Sequence, residues 1–124
     1  MTSPNIVGLG TILGFTTVSN LANSTETVFL NAPATTNTLY KVNNIIVANT
    51  TSSSVNATIS FRDAAGGGGT AYKLANSTPI AAYSTLVVID KASAIYLEEN
   101  KCLTATSSSA SGLLTIVSSY EIIK

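Results

Sequence analysis

Apolar and polar residues alternate with a period of two along much of the chain, and no window sustains the three-and-four spacing of an amphipathic helix. The clearest stretch runs Leu39-Tyr40-Lys41-Val42-Asn43-Asn44-Ile45-Ile46-Val47-Ala48. Tyr40 and Val42 face one way, Lys41 and Asn43 the other. The phase changes at Asn43-Asn44, which predicts a bulge or short bend there. Val55 to Arg62 alternates cleanly, with Val55, Ala57, Ile59 and Phe61 on the core face. The intervening Asn49-Thr50-Thr51-Ser52-Ser53-Ser54 reads as a hairpin connection.

Further strands are expected from Tyr72, through Thr78-Pro79-Ile80, and over Thr85–Ile89, Ile95–Leu97, Cys102–Thr106 and Leu113–Ile123. Pro79 marks an edge or a strand end, because proline cannot donate to a ladder. Thr85–Ile89 contains the longest apolar run, Leu86-Val87-Val88-Ile89, and reads as a buried strand. Turns fall at Ala82-Tyr83-Ser84, at Asp90–Ser93, at the charged corner Glu98–Lys101, and over Ser107–Gly112. Thr25–Leu30 is a further strand candidate. Eight or nine strands at roughly 8–12-residue spacing describe an all-β fold, a single antiparallel, jelly-roll-like β-sandwich. The expected core includes Val55, Ile59, Phe61, Leu86, Val88, Tyr96, Leu103, Leu114 and Ile116. Residues 1–20, studded with Gly8, Gly10 and Gly14, read as an N-terminal arm or edge segment. Residues 21–124 form the sandwich domain. There is no internal repeat and no interdomain linker.

Composition narrows the chemistry. Without His, the 124 residues cannot build a Ser-His-Asp triad or a His-ligated metal site. One Cys excludes an internal disulfide and a Cys₄ zinc site. Six cations balance six acids, so there is no electrostatic footprint for nucleic acid. No apolar run approaches the ~18 residues of a membrane helix, and the N-terminus lacks the charged region of a signal peptide. Charged residues are only 10% of the chain, against 34 Ser and Thr and 11 Asn. The polar surface is therefore mostly hydroxyl and amide.

The candidate sites each have a plainer structural explanation. Gly66-Gly67-Gly68-Gly69 lacks the Gly-Lys-Ser/Thr ending of a phosphate loop and reads as a flexible loop tip. Glu98 and Glu99 are the nearest carboxylate pair, but in an extended segment they point to opposite faces, beside Lys91 and Lys101. Asp90 and Glu98 offer hard oxygen ligands for calcium, with no Asp-x-Asp loop behind them. Cys102, without His, reads as a small buried hydrophobe. Tyr40, Tyr72, Tyr83, Tyr96 and Tyr120 are expected to seal the core rather than to form a sugar platform. Four N-x-S/T triplets, at Asn23, Asn49, Asn56 and Asn76, are what so much Ser and Thr produces by chance. The sequence is thus read as non-enzymatic, with no catalytic, cofactor or metal residues and no cofactor.

The segment Thr38–Thr50, with its Thr-Leu-Tyr start, Ile-Val-Ala-Asn strand and Ser/Thr turn, resembles small virion proteins of tailed phages. So do Pro79–Asp90, Ile95–Glu99 and the final Ser119-Tyr120-Glu121-Ile122-Ile123. The group includes proteins of phages that infect cyanobacteria. The resemblance covers about residues 35–123 and implies a β-sandwich and a virion component made in the host cytoplasm. It carries over no functional residues. The expected role is capsid decoration, a cement protein that binds the outer shell and stabilises it. The alternatives are a neck, tail or baseplate subunit, or an adhesin-like domain binding host polysaccharide. Expected partners are the chain itself, as a homo-oligomer and most simply a trimer, and the major capsid protein or other virion proteins. Nucleic acid and membrane are not expected partners.

Overall fold

The computed structural model describes residues 10–21, 24–109 and 114–124. They form nine strands: β1 (Ile12–Leu21), β2 (Thr27–Asn31), β3 (Leu39–Asn49), β4 (Val55–Arg62), β5 (Ala71–Ile80), β6 (Thr85–Ile89), β7 (Ile95–Leu97), β8 (Cys102–Ser107) and β9 (Leu114–Ile123). Among the described residues the only helical pieces are single 3₁₀ turns at Ala65–Gly67 and Lys91–Ser93. Val, Ile and Thr dominate the strands, and such β-branched side chains fit a pleated, half-buried surface. All pairings are antiparallel.

A five-stranded sheet has the order β1-β9-β3-β6, with β7 also on β3. β9 lines one side of β3, while β7 pairs its first half and β6 its second. A four-stranded sheet, β2-β8-β4-β5, covers the inner face of the first. Val42, Ile45, Val47, Leu114, Ile116 and Leu21 pack from one layer. Phe29, Leu30, Ala57, Ile59, Leu103 and Ala105 meet them from the other, all buried.

The bulge expected in β3 is present. Val42 opposes Tyr120 and Asn44 opposes Ser119, which leaves Asn43 as the extra residue. That extra residue lets Tyr40 and Val42, then Ile45 and Val47, all face inward despite the change of phase. Pro79 lies near the end of edge strand β5, where a missing N–H costs least.

Several expectations need correction. Residues 50–54 are not a hairpin, because β3 and β4 lie in different sheets. The segment is a crossover between layers, and β5 to β6 crosses back. Asn49 ties the two crossovers together. Its buried Nδ2 lies 2.8 Å from the Ser53 carbonyl, 3.0 Å from that of Ile80 and 3.2 Å from that of Ala81. Its Oδ1 accepts from the Thr51 N–H at 2.9 Å and the Thr51 hydroxyl at 2.7 Å.

Thr85–Ile89 is an edge strand rather than a buried one, and Val87 is 56% exposed. Tyr96, expected in the core, is exposed because it stands opposite Lys41 on the outward row. Phe61, Leu86 and Val88 are half-buried at the core margin; Val55, Ile59, Leu103, Leu114 and Ile116 are buried as expected. Within the N-terminal segment 1–20, residues 12–20 belong to β1, paired with this chain's own β9. Residues 1–9 lie outside the described residues, as do Leu113 and the second half, 110–112, of the expected Ser107–Gly112 turn.

Asn49→Leu is expected to cost roughly 3 kcal/mol or more, because buried carbonyls and an N–H lose their partners together. Urea unfolding checks this. A loss below about 1 kcal/mol would show that the two crossovers hold without the amide.

Candidate functional site: an open sheet face and a lidded sheet face

The two sheets differ on their outward sides. On the five-stranded sheet, register places Val18 beside Val117, Val117 beside Ile46, and Ile46 beside Val87. These four aliphatic side chains form a continuous row across β1, β9, β3 and β6, on the face away from the core. Val18 is 63% exposed and Val87 nearly as open.

The row lies between two polar ones. Asn20, Thr115, Ala48 and Thr85 flank it on one side, and Thr16, Ser119 and Asn44 on the other. Apart from Thr85, their polar groups already serve one another. The Thr115 hydroxyl donates to Asn20 Oδ1 at 2.8 Å, the Ser119 N–H donates to Asn44 Oδ1 at 2.9 Å, and the Thr16 and Ser119 hydroxyls are 3.3 Å apart. Side chains already paired with each other lose less when a neighbour excludes water. No charge occurs in these three rows. Charge begins one row further on, where Glu121 and Lys41 stand opposite each other. The face can bury aliphatic area, worth about 25 cal/mol per Å², without stranding an ion.

The four-stranded sheet is covered instead. Its outward residues Cys102 and Thr104 are buried: the β4–β5 connection folds back over Cys102, and Glu26 lies against Thr104. The Gly67 N–H donates to Cys102 Sγ at 3.3 Å, and the thiol donates to the Ala64 carbonyl at the same distance. The Gly66 N–H reaches Asn31 Oδ1 at 3.0 Å, and the Thr70 N–H reaches Asp63 Oδ1 at 2.7 Å. The glycine tetrad therefore holds a defined path, where a loose loop tip was expected. Gly66, Gly67 and Gly69 all have left-handed φ, and a Cβ on Gly69 would collide with the Asp63 carboxylate.

Beside this lid, Arg62 grips Glu26 through Nε at 2.6 Å and Nη2 at 2.8 Å, a bidentate pair. The Thr104 hydroxyl donates to the same carboxylate at 2.6 Å. The Arg62 hydrogen bond, then that of Thr104, lowers the Glu26 pKa from its ordinary 4.5 to about 2, against a smaller opposing effect of burial.

The other residues singled out from sequence do not converge. Glu98 and Glu99 sit half-buried in the turn after β7, and Glu98 Oε2 is buried without a hydrogen-bond partner. Asp90 caps a 3₁₀ turn: its Oδ1 accepts from the Ser93 N–H at 3.0 Å, and its own N–H donates to the Ser93 hydroxyl at 3.2 Å. Among the described residues no three His, Cys, Asp or Glu side chains group as a metal site. Tyr40 and Tyr120 stack inward with centroids 5.2 Å apart, and Phe15 continues the stack at 5.7 Å. Burial, with Tyr120 adding to it, raises the Tyr40 phenol above its ordinary value. Tyr72, Tyr83 and Tyr96 are exposed, which corrects the expectation that all five tyrosines seal the core; they lie on β5, in the β5–β6 connection and on β7. The aliphatic row itself escaped the sequence reading, because its members meet only through strand register.

No family model and no curated protein matches the chain. A chain from the solved structure "Bacillus endospore appendages form a novel family of disulfide-linked pili" is similar to it, with a TM-score of 0.52 and 17% identity. The match covers 91% of this chain and 87% of that one. At this identity the likeness concerns the fold alone.

Two predictions follow from the lidded face. Cys102 should resist a thiol reagent in the native chain, whereas Gly69→Ala should expose it and lower the melting temperature; an equally inert thiol in that variant would show the glycine path is dispensable. Acid should also act through Glu26. Its folded pKa is depressed, so its contribution is complete above about 4.5 and is lost as pH falls through about 2. Glu26→Gln should flatten the fall in melting temperature over that window. An unchanged pH profile would remove the ion pair from the account.

Proposed function

We propose that this chain is a non-enzymatic structural subunit that works by repetition on a phage particle, as a capsid decoration protein that binds the outer shell and stabilises it. The observation that carries the subunit reading is the uncovered aliphatic row Val18, Val117, Ile46 and Val87, bordered by self-satisfied hydroxyl and amide rows. Such a face suits a broad, uncharged, partly wet contact with neighbouring protein. The phage particle is favoured by the sequence resemblance over residues 35–123. The subunit would act as a homo-oligomer bound to the major capsid protein or another virion protein. A neck or tail position uses the same contact at lower copy number.

The fold likeness favours one other particle, a filament built from the same kind of sandwich. The matched structure is described as disulfide-linked. Here the single cysteine is shut beneath the β4–β5 connection, so joining folded copies through Cys102 would first require that lid to open. The contact proposed here is non-covalent.

Quantitative mass spectrometry of purified virions is expected to find the chain at a copy number comparable to that of the shell protein. A small symmetric set would move it to the neck or tail. Its absence from virions, with recovery in filaments, would overturn the phage assignment. Val87→Asp should leave the isolated domain folded, since the side chain is exposed, yet block incorporation into particles. Normal incorporation would remove the sheet face from the proposal.

A further inference from the structure

The strands that end the two sheets are not equally protected against pairing with another chain. β2 has five residues and a bulge. β5 carries Lys73 and Pro79 and shifts register twice against β4. The far edge of the five-stranded sheet is divided between β6, of five residues, and β7, of three, with a capped turn between them. β1 is different. It runs ten residues, Ile12-Leu13-Gly14-Phe15-Thr16-Thr17-Val18-Ser19-Asn20-Leu21, with no charge, no proline and no register shift against β9. Short strands, bulges, lysine and proline are the usual devices that keep an edge from pairing. Among the described residues β1 is the edge that lacks them all. Ile12, Leu13, Phe15 and Val18 along it are exposed.

The direction of its free backbone groups can be read from one end. Thr11 and Lys124 exchange two backbone hydrogen bonds, at 2.9 and 3.1 Å. In an antiparallel ladder such pairs recur at every second residue. The odd-numbered residues of β1 therefore turn their N–H and C=O toward β9. Ile12, Gly14, Thr16, Val18 and Asn20 turn theirs to the open edge.

We propose that β1 pairs antiparallel with β1 of a second copy, about a two-fold axis at Thr16. In this register Thr16 meets Thr16 of the partner subunit, Gly14 meets Val18 of the partner subunit, and Ile12 meets Asn20 of the partner subunit. Every outward N–H and C=O of the five residues is then paired. An axis at Gly14 or Val18 leaves some of them unpaired. The same register keeps outward side chains on the outward face, so the two five-stranded sheets become one continuous sheet. On the inward face Phe15 meets Thr17 of the partner subunit and Leu13 meets Ser19 of the partner subunit, which covers part of two exposed apolar side chains. The absence of charge along β1 means that no like charges meet at the axis. The occupant is a second copy because no other edge among the described residues offers ten regular residues, and an isologous contact of this kind closes on itself.

This contact deepens the subunit reading, with a two-fold dimer in place of the trimer expected from sequence, but is tested on the isolated chain, apart from any particle. Light scattering of the full chain at micromolar concentration is expected to show a dimer. Thr16→Pro should give a monomer with an intact domain, because the lost N–H points away from β9. Thr16→Cys should form a disulfide-linked dimer under mild oxidant, since hydrogen-bonded pairs stand about 5.5 Å apart between Cα atoms. Thr85→Cys, on β6, should not. The cross-link decides the matter even if the proline variant fails to fold. A monomeric wild type, a trimer, or cross-linking at position 16 no greater than at 85 would overturn the proposal. Failure here, with Val87→Asp still blocking incorporation, would sink the edge contact and leave the particle assignment standing.

Discussion

A single buried amide, that of Asn49, closes the end of the sandwich where the chain changes layers. Its side chain serves the crossover that follows β3 and the crossover that precedes β6. Both connections would otherwise bring carbonyls to the rim of the core without partners, a costly arrangement in a low-dielectric interior. With those groups satisfied, β3 and β4 can enter different sheets although only five residues separate them. The rest of the architecture depends on that separation. It puts the aliphatic sides of β3 and β9 against those of β4 and β8, and it turns the opposite sides of both sheets outward.

The two outward sides then take opposite routes. The four-stranded sheet is roofed by its own β4–β5 connection over Cys102 and by Glu26 over Thr104, so both are buried although they face away from the core. Left-handed glycines make the tight path possible, and the Arg62–Glu26 pair anchors its margin. The five-stranded sheet has no comparable cover among the described residues. Its aliphatic row and its unguarded edge strand lie on the same half of the molecule, with Val18 belonging to both. A protein with so few charges keeps that surface free of the ions that would oppose burial, which is the physical link between its composition and its proposed role.

Much of the fold was legible in the sequence because strand periodicity is local. The alternation through Val55–Arg62 and the phase change at Asn43 marked the core face and the bulge correctly. Pairing was not legible. The Ser/Thr-rich segment after Asn49 has the composition of a hairpin turn, and nothing local distinguishes a hairpin from a crossover. Leu86-Val87-Val88-Ile89 looked buried because it is a continuous apolar run. It is an edge strand whose Val87 completes an outward row, which only register reveals. The glycine tetrad suggested freedom, whereas its φ angles show a required shape. The exposed tyrosines failed for a related reason: Tyr96 alternates like a core residue, but it sits in a three-residue strand paired outward against Lys41.

The central claim is that the open face of the five-stranded sheet is a contact surface in an assembled particle. Electron cryo-microscopy of particles containing the chain tests it most directly. The account predicts density from a neighbouring subunit over Val18, Val117, Ile46 and Val87, with the lidded face of the other sheet turned away from the contact. A map in which that row faces solvent, while the particle is held through the β4–β5 connection, would contradict it.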